Sequence, residues 1–151
     1  TGIDVLSYGA TKNGGLGAEA VVVLNPDLLA VMPYVRKQAM QLASKMRYVS
    51  AQLVALLTDD LWRRNAEHAN AMAARLAAAV DGAPGVTVTD VVQANAVFAI
   101  LDPAVTAALQ QENAFYVWNE ATGQVRWMTS WETTEADVDG FAARIRELAA
   151  P

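Results

Sequence analysis

The sequence predicts an α/β protein in two parts, a pair of strands that belong to a larger sheet and a small α+β domain. Three observations support this prediction. Residues 18–24 form an almost continuous apolar run, typical of a strand buried on both faces. Residues 50–80 repeat apolar side chains at helical spacing. From residue 86 onward, short strand-like segments alternate with helical ones.

Composition excludes several function classes. The chain has 151 residues, 54% of them hydrophobic, which is enough for a sizeable core. Its net charge is −5 and its eleven Lys and Arg residues are scattered, unlike a nucleic-acid surface. We expect neither a membrane span nor a signal peptide. With no cysteine and one histidine, the chain offers no thiolate or zinc site of its own, and a cytoplasmic location is expected.

A glycine-rich turn separates the first two strands, predicted at 2–8 and 18–24. Lys12 lies in this turn, in the stretch TKNGG. A phosphate-binding loop or a dinucleotide fingerprint would be followed by a helix, whereas a strand follows here. The residues alone leave two interpretations: a solvated loop lysine, or an amine used to attack a carbonyl group. Thr11 beside it offers a hydroxyl suited to a phosphate oxygen.

Helices are predicted next. Asn25 is a suitable N-cap for a helix over residues 28–46, which Pro33 either kinks or restarts. Residues 50–80 are predicted as one long helix that ends at the DGAPG stretch, residues 81–85.

The rest of the chain predicts a small sheet with helices on one face. Strands are expected at 86–91, 95–101, 114–119 and 124–130, and helices at 103–111 and 135–150.

Three separated motifs are similar to one known family. DVLSYGATKNGGLGAEAVVV, RKQAMQLASKMRYVSAQ and VRWMTSW together resemble threonine and phenylserine aldolases, pyridoxal-phosphate enzymes of the aspartate aminotransferase fold. The resemblance covers essentially the whole chain and implies the C-terminal part of a fold-type I pyridoxal-phosphate-dependent transferase. It implies that 1–50 completes the cofactor-binding large domain, 51–85 is a long connecting helix, and 86–151 is the small C-terminal α+β domain.

The resemblance also implies roles for individual residues. Lys12 matches the lysine that bonds pyridoxal phosphate, and Arg47 matches an arginine near the cofactor phosphate, to which the neighbouring Thr11 hydroxyl is also suited. Arg126 matches the arginine that binds the substrate α-carboxylate, a role that suits the planar guanidinium fork. Lys37 matches a basic residue close to the substrate. The alternative for Arg126 is a strand residue whose charge reaches solvent, and for Lys37 a positively charged helix face.

The implied activity is cleavage of β-hydroxy-α-amino acids, of threonine or phenylserine type, to glycine and an aldehyde. Two alternatives stay open: a β-eliminating lyase or aminotransferase of the same fold, and a non-catalytic interaction fragment. In this family the upstream half supplies further cofactor contacts, so we expect the isolated chain to be inactive. The expected partners are that N-terminal half, a second copy in a homodimer or homotetramer, and an amino-acid substrate.

Other candidate residues are assigned structural places. His68 is expected on an exposed helix face, and the adjacent Asp59 and Asp60 are expected to point in different directions on a helix. Core or interface positions are expected for Trp62, Trp127 and Trp131.

Overall fold

The computed structural model describes residues 2–150, which form two compact units. The boundary between the units falls between Arg63 and Arg64 in the chain. The elements, in chain order, are β1 (Val5–Gly9), β2 (Glu19–Val23), α1 (Met32–Gln38), α2 (Met46–Leu57), α3 (Leu61–Val80), β3 (Thr87–Val88), β4 (Ala96–Ile100), α4 (Pro103–Glu112), β5 (Tyr116–Asn119), β6 (Gln124–Met128) and α5 (Glu135–Ala149). Short 3₁₀ turns lie at Thr11–Asn13, Pro26–Leu28 and Thr58–Asp60.

The first unit begins with the two predicted strands, which form an antiparallel hairpin. Val5 pairs with Val23 at one end and Gly9 with Glu19 at the other. Within this unit the valines of β2 are not buried as the apolar run predicted, and Val21 is 58% exposed. Successive strand residues point to opposite faces, so both faces of the hairpin present apolar side chains.

The long helix predicted over residues 28–46 is wrong in length. Asn25 does cap a turn, its side chain accepting a hydrogen bond of 2.9 Å from the Asp27 amide, but only a 3₁₀ turn follows. Pro33 lies in the first turn of the short helix α1. That helix ends where Met40 takes a left-handed φ of 55° and the Gln41 amide bonds back to the carbonyl of residue 36 at 3.0 Å. This is a Schellman ending without its usual glycine.

The single helix predicted over residues 50–80 is two helices. Asp59 and Asp60 have φ values of 50° and 56°, which break the helical path between α2 and α3. The Thr58 hydroxyl donates a hydrogen bond of 2.7 Å to the Val54 carbonyl at the end of α2. Aspartate tolerates a left-handed backbone better than most residues. The helix break therefore falls at positions where this conformation causes little strain.

The second unit is the predicted α+β domain. Its antiparallel sheet has the order β3-β4-β6-β5. One face of β4 and β6 packs against residues of α3, α4 and α5 in a single core. The fully buried members of that core with the largest side chains are Leu109, Ile145, Val80, Val97 and Val125. The strand predicted at 86–91 shortens to two residues, while the other elements lie close to their predicted ranges.

Helix starts in this unit follow their capping residues. Asp102 accepts a 2.7 Å hydrogen bond from the Ala104 amide at the start of α4. Thr134 and Asp137 form a reciprocal capping box at the start of α5. The Thr134 hydroxyl and amide both bond to the Asp137 carboxylate, and these bonds lower the pKa of Asp137.

The boundary between the two units falls between Arg63 and Arg64, and the assignment of residues 1–50, 51–85 and 86–151 to parts of a larger enzyme stays a prediction. Between residues 2 and 150, no helix is long and apolar enough to cross a membrane.

Candidate functional site

The lysine turn, residues 10–18, connects the two strands of the hairpin. Lys12 is the middle residue of a 3₁₀ turn between Thr11 and Asn13, and its side chain is exposed. Gly14 follows with a φ of 101°, a conformation that favours glycine. The turn therefore projects an accessible amine from the end of a hairpin.

Backbone bonds and small side chains hold this turn together. The Ala10 amide donates to the Ala18 carbonyl at 2.8 Å, and the Gly15 amide donates to the Ala10 carbonyl at 2.9 Å. Ala10 and Ala18 are fully buried and cluster with Leu56 of α2. The two ends of the turn are thus packed against a helix of the same unit.

Two polar side-chain contacts add to that packing. The Gln52 side chain, on α2, accepts hydrogen bonds from the amides of Leu16 at 2.7 Å and Gly17 at 3.2 Å. On the other side of the turn, Asn13 donates its side-chain amide to the Trp62 carbonyl at 3.0 Å. Lys12 therefore lies on a turn whose two sides are fixed to separate helical segments.

The other cofactor and substrate residues predicted in the first unit lie on its surface. Thr11 donates its hydroxyl to Glu19 at 2.7 Å, so a phosphate at this position would have to replace that acceptor. Lys37 lies in the last turn of α1 and Arg47 in the first turn of α2, and both are exposed. No hydrogen bond or ion pair joins the side chain of Lys12, Lys37 or Arg47 to another residue in the part of the chain that is described.

Arg126 lies in the second unit, on the face of β6 opposite the core. Its neighbours in sequence, Val125 and Trp127, point into the core, and its cross-strand partners are Phe98 on β4 and Tyr116 on β5. The Nε atom of Arg126 is buried and has no hydrogen-bond partner among residues 2–150. The guanidinium carbon lies 4.2 Å from the ring centroid of Trp118.

The environment of Arg126 differs from that of two other arginines in this unit. Arg75 bonds to Asp139 at 2.7 Å and to Glu135 at 3.1 Å. Arg144 bonds to Glu112 at 2.7 Å and to Glu147 at 2.8 Å. The hydrogen bond to Asp139 raises the pKa of Arg75, and the hydrogen bonds to Glu112 and Glu147 raise the pKa of Arg144.

Arg126 has no such carboxylate partner within the described ranges. Among the described residues, the guanidinium contacts the aromatic face of Trp118 and no carboxylate. It is therefore able to bind an external anion.

A pocket of about 410 Å³ opens on the same sheet face. Its lining residues are Asp90, Val91, Gln93, Ala94, Ala96, Phe98, Trp118 and Gln124.

The remaining polar and aromatic residues take structural places. His68 is exposed on α3, as predicted, with Nε2 2.7 Å from the Thr133 carbonyl. Trp127 is a core residue, as predicted. No group of three metal-ligating side chains is found between residues 2 and 150.

Sequence reasoning missed Gln52 and Trp118. Gln52 ends a motif that the sequence singles out, but its bonds to the turn cross 35 and 36 residues of chain. Trp118 is the extra residue between Val117 and Asn119 in the strand pairing, a position that no local sequence signal marks.

No family model matches the chain. The chain is 45% identical over 148 residues to a low specificity L-threonine aldolase of Pseudomonas sp. (strain NCIMB 10558), and 44% identical over 149 residues to one of Pseudomonas aeruginosa. The matches cover 97% and 98% of this chain but 42% and 41% of the relatives. The chain thus spans about two fifths of their length and corresponds to their C-terminal part.

Two solved structures are similar to this chain in fold. A threonine aldolase of Leishmania major matches 97% of this chain and 44% of its own with a TM-score of 0.88, at 30% identity. A transaminase from an ancestral-reconstruction study matches 97% of this chain and 37% of its own with a TM-score of 0.56, at 14% identity, which establishes fold alone. The resemblance to threonine aldolases and the fold class, the C-terminal part of a fold-type I enzyme, are both confirmed.

Proposed function

We propose that this chain, a relative of the C-terminal part of threonine aldolases, belongs to a longer pyridoxal-phosphate-dependent aldolase. Its reaction would be the cleavage of β-hydroxy-α-amino acids, of threonine or phenylserine type, to glycine and an aldehyde. The lysine turn is the observation that carries the proposal. It presents one accessible amine on a rigid turn, in a chain 45% identical to a threonine aldolase.

The residues of the turn fit such a cofactor. Bonding to the cofactor aldehyde needs a lysine amine that is accessible and not bound to a carboxylate. Lys12 meets both conditions among the described residues. Gly15 lets the turn close on Ala10, since an added Cβ there would lie 2.9 Å from the Ala10 Cβ.

Each predicted site residue has a defined task in this proposal. Lys12 would hold the cofactor through Nζ. Thr11 and Arg47 hold the phosphate, as hydroxyl donor and as cation. Arg126 binds the α-carboxylate with two parallel charge-assisted hydrogen bonds, and Lys37 adds positive charge near the substrate. Pyridoxal phosphate, when bound, withdraws electrons from the substrate and so allows the Cα–Cβ bond to break.

The exposed apolar side chains of the hairpin in the first unit favour a binding partner that covers them. Val21 and Val22 are adjacent, so they face opposite sides of the strand, and they are 58% and 39% exposed. A hairpin with apolar side chains on both faces needs cover on both faces. The proposed cover is the N-terminal part of the same enzyme, assembled as a homodimer or homotetramer. The isolated chain would then be inactive. The proposal includes a cytoplasmic location, which a chain without cysteine suits.

The test uses the longer enzyme loaded with pyridoxal phosphate and reduced with borohydride. Mass spectrometry of its peptides should find the reduced cofactor on the peptide that carries Lys12. Lys12→Ala should abolish the adduct and aldehyde release. Lys45→Ala, a change at another exposed lysine of the first unit, should retain the adduct. Cofactor attached to another lysine, or cleavage undiminished by Lys12→Ala, would contradict the proposal.

Product analysis separates the aldolase from the alternatives on the same fold. Glycine together with an aldehyde identifies the aldolase reaction. Pyruvate with ammonia would identify a β-eliminating lyase, and a new amino acid would identify an aminotransferase. A Lys12 that no cofactor modifies would favour a non-catalytic interaction fragment.

A further inference from the structure

We propose that Trp118 is a positioning residue for Arg126: its indole face holds the guanidinium in the orientation that binds the substrate carboxylate. The inference rests on the proposed function, in which Arg126 binds that group. The guanidinium carbon lies 4.2 Å from the indole centroid. At this distance the negative face of an aromatic ring attracts a cation, and tryptophan provides the strongest such face.

An irregularity in β5 brings Trp118 to this place. Val117 pairs with Val125 and Asn119 pairs with Gln124, so Trp118 is the extra residue of a β-bulge. A bulge redirects one side chain, and bulges are frequent beside active sites. The redirected side chain here is the one that stacks on the guanidinium.

A second aromatic residue fixes the indole. Phe98 lies directly across from Arg126 on β4 and packs edge-to-face on Trp118, with ring centroids 5.7 Å apart. Trp118 is 54% exposed and lies outside the core cluster, so its replacement should leave the core unchanged.

The remaining contacts of Arg126 leave room for a carboxylate. Its Nε atom is buried without a partner, while its terminal nitrogens are not among the buried unpaired atoms of the described chain. Those terminal nitrogens are the donors that an external carboxylate can reach. A long side chain that is oriented in advance loses less freedom when its ligand binds, so the stack raises affinity for the carboxylate.

The test compares two amines with the longer enzyme loaded with pyridoxal phosphate. Glycine carries the carboxylate and methylamine lacks it, and the binding of each is followed through the visible absorbance of the cofactor. Trp118→Leu should weaken glycine binding about tenfold and leave methylamine binding unchanged. Trp118→Phe should restore most of the glycine affinity.

The matched control is Tyr116→Leu. Tyr116 lies on the same face of β5 and is 75% exposed, but has no ring or cation contact within the described residues. This variant should bind both amines normally. If Trp118→Leu weakened the binding of glycine and of methylamine equally, the role of Trp118 would be merely structural and the inference would be overturned. Unchanged glycine binding in this variant would also overturn it.

Two further measurements keep the outcome decisive. If Trp118→Leu does not fold, fluorinated tryptophans placed at this position keep the shape and weaken the ring's attraction for cations. Glycine binding should then fall with each added fluorine, and a flat series would overturn the inference. If the unmodified enzyme bonds no cofactor at Lys12, the proposed function fails instead, which the unmodified enzyme alone reveals.

Discussion

Gln52 accepts a hydrogen bond of 2.7 Å from the amide of Leu16, 36 residues earlier in the chain. The same Oε1 atom accepts a second bond, of 3.2 Å, from Gly17. Its Nε2 atom donates to the Tyr48 carbonyl at 3.2 Å, one turn earlier in α2. The side-chain amide is therefore oriented by its own helix, and the lysine turn is held by α2 as well as by the hairpin.

Removal of this side chain should loosen the turn. In Gln52→Ala the amides of Leu16 and Gly17 lose their acceptor, and two net hydrogen bonds are worth about 1–2 kcal/mol together. Hydrogen exchange at these amides should accelerate about tenfold or more. Gln38→Ala, at an exposed glutamine of α1 without a side-chain bond among the described residues, is the control. Unchanged protection of both amides in Gln52→Ala would refute the role of Gln52.

The glycines of the turn should differ in their tolerance of a methyl group. At Gly15 an added Cβ would lie 2.9 Å from the Ala10 Cβ and 3.0 Å from its carbonyl oxygen. Because Ala10 is fully buried, Gly15→Ala should lower the free energy of unfolding by about 1–3 kcal/mol. At Gly17 an added Cβ meets nothing within 4 Å, so Gly17→Ala should change the free energy of unfolding by less than about 0.5 kcal/mol. Urea unfolding of the two variants checks this, and equal effects would contradict the packing argument.

The second unit could be predicted well because its signals are local. Alternation along β4 and β6 identifies the buried face, and Asp102 and Thr134 mark helix starts. The β-bulge at Trp118 could not be predicted, because it depends on pairing between two strands. For the same reason the sequence pointed to Arg126 but not to the indole that it stacks on.

The first unit was harder to predict because its helices end without glycine. Met40 and Asp59 adopt left-handed backbone where sequence signals favour continued helix, and apolar spacing continues across both positions. Lys12 was assigned its role through the family resemblance and that role stays a prediction, whereas Gln52 acts through a contact between distant parts of the chain.

Stability should fall in acid because of ion pairs in the second unit. The hydrogen bond from Arg144 lowers the pKa of Glu112, and that from Arg75 lowers the pKa of Asp139. A carboxyl whose pKa is lowered by folding stabilises the folded state above its unfolded pKa, about 4, and loses that contribution as the pH falls through the folded pKa. Urea unfolding at a series of pH values should therefore give lower midpoints below pH of about 4.

Glu112→Gln tests the origin of this acid loss. The variant should be less stable than the unmodified chain at neutral pH, and the difference should shrink as the pH falls below about 4, where Glu112 itself becomes protonated. Glu120→Gln is the control, since Glu120 is exposed and has no ion pair in the described ranges. A stability difference for Glu112→Gln that does not change with pH would exclude the ion pair as its cause.

The apolar faces of the hairpin should matter in the longer enzyme and not in the isolated chain. Val21 is 58% exposed here, so Val21→Thr should change the stability of this chain by less than about 0.5 kcal/mol. If the N-terminal part covers this face, the same change buries a hydroxyl and should cost about 1–3 kcal/mol. Val91→Thr, at a site 84% exposed in the second unit, should have little effect in either protein. Unfolding of all four variants in urea measures the difference, and equal costs of Val21→Thr in both proteins would argue against the proposed cover.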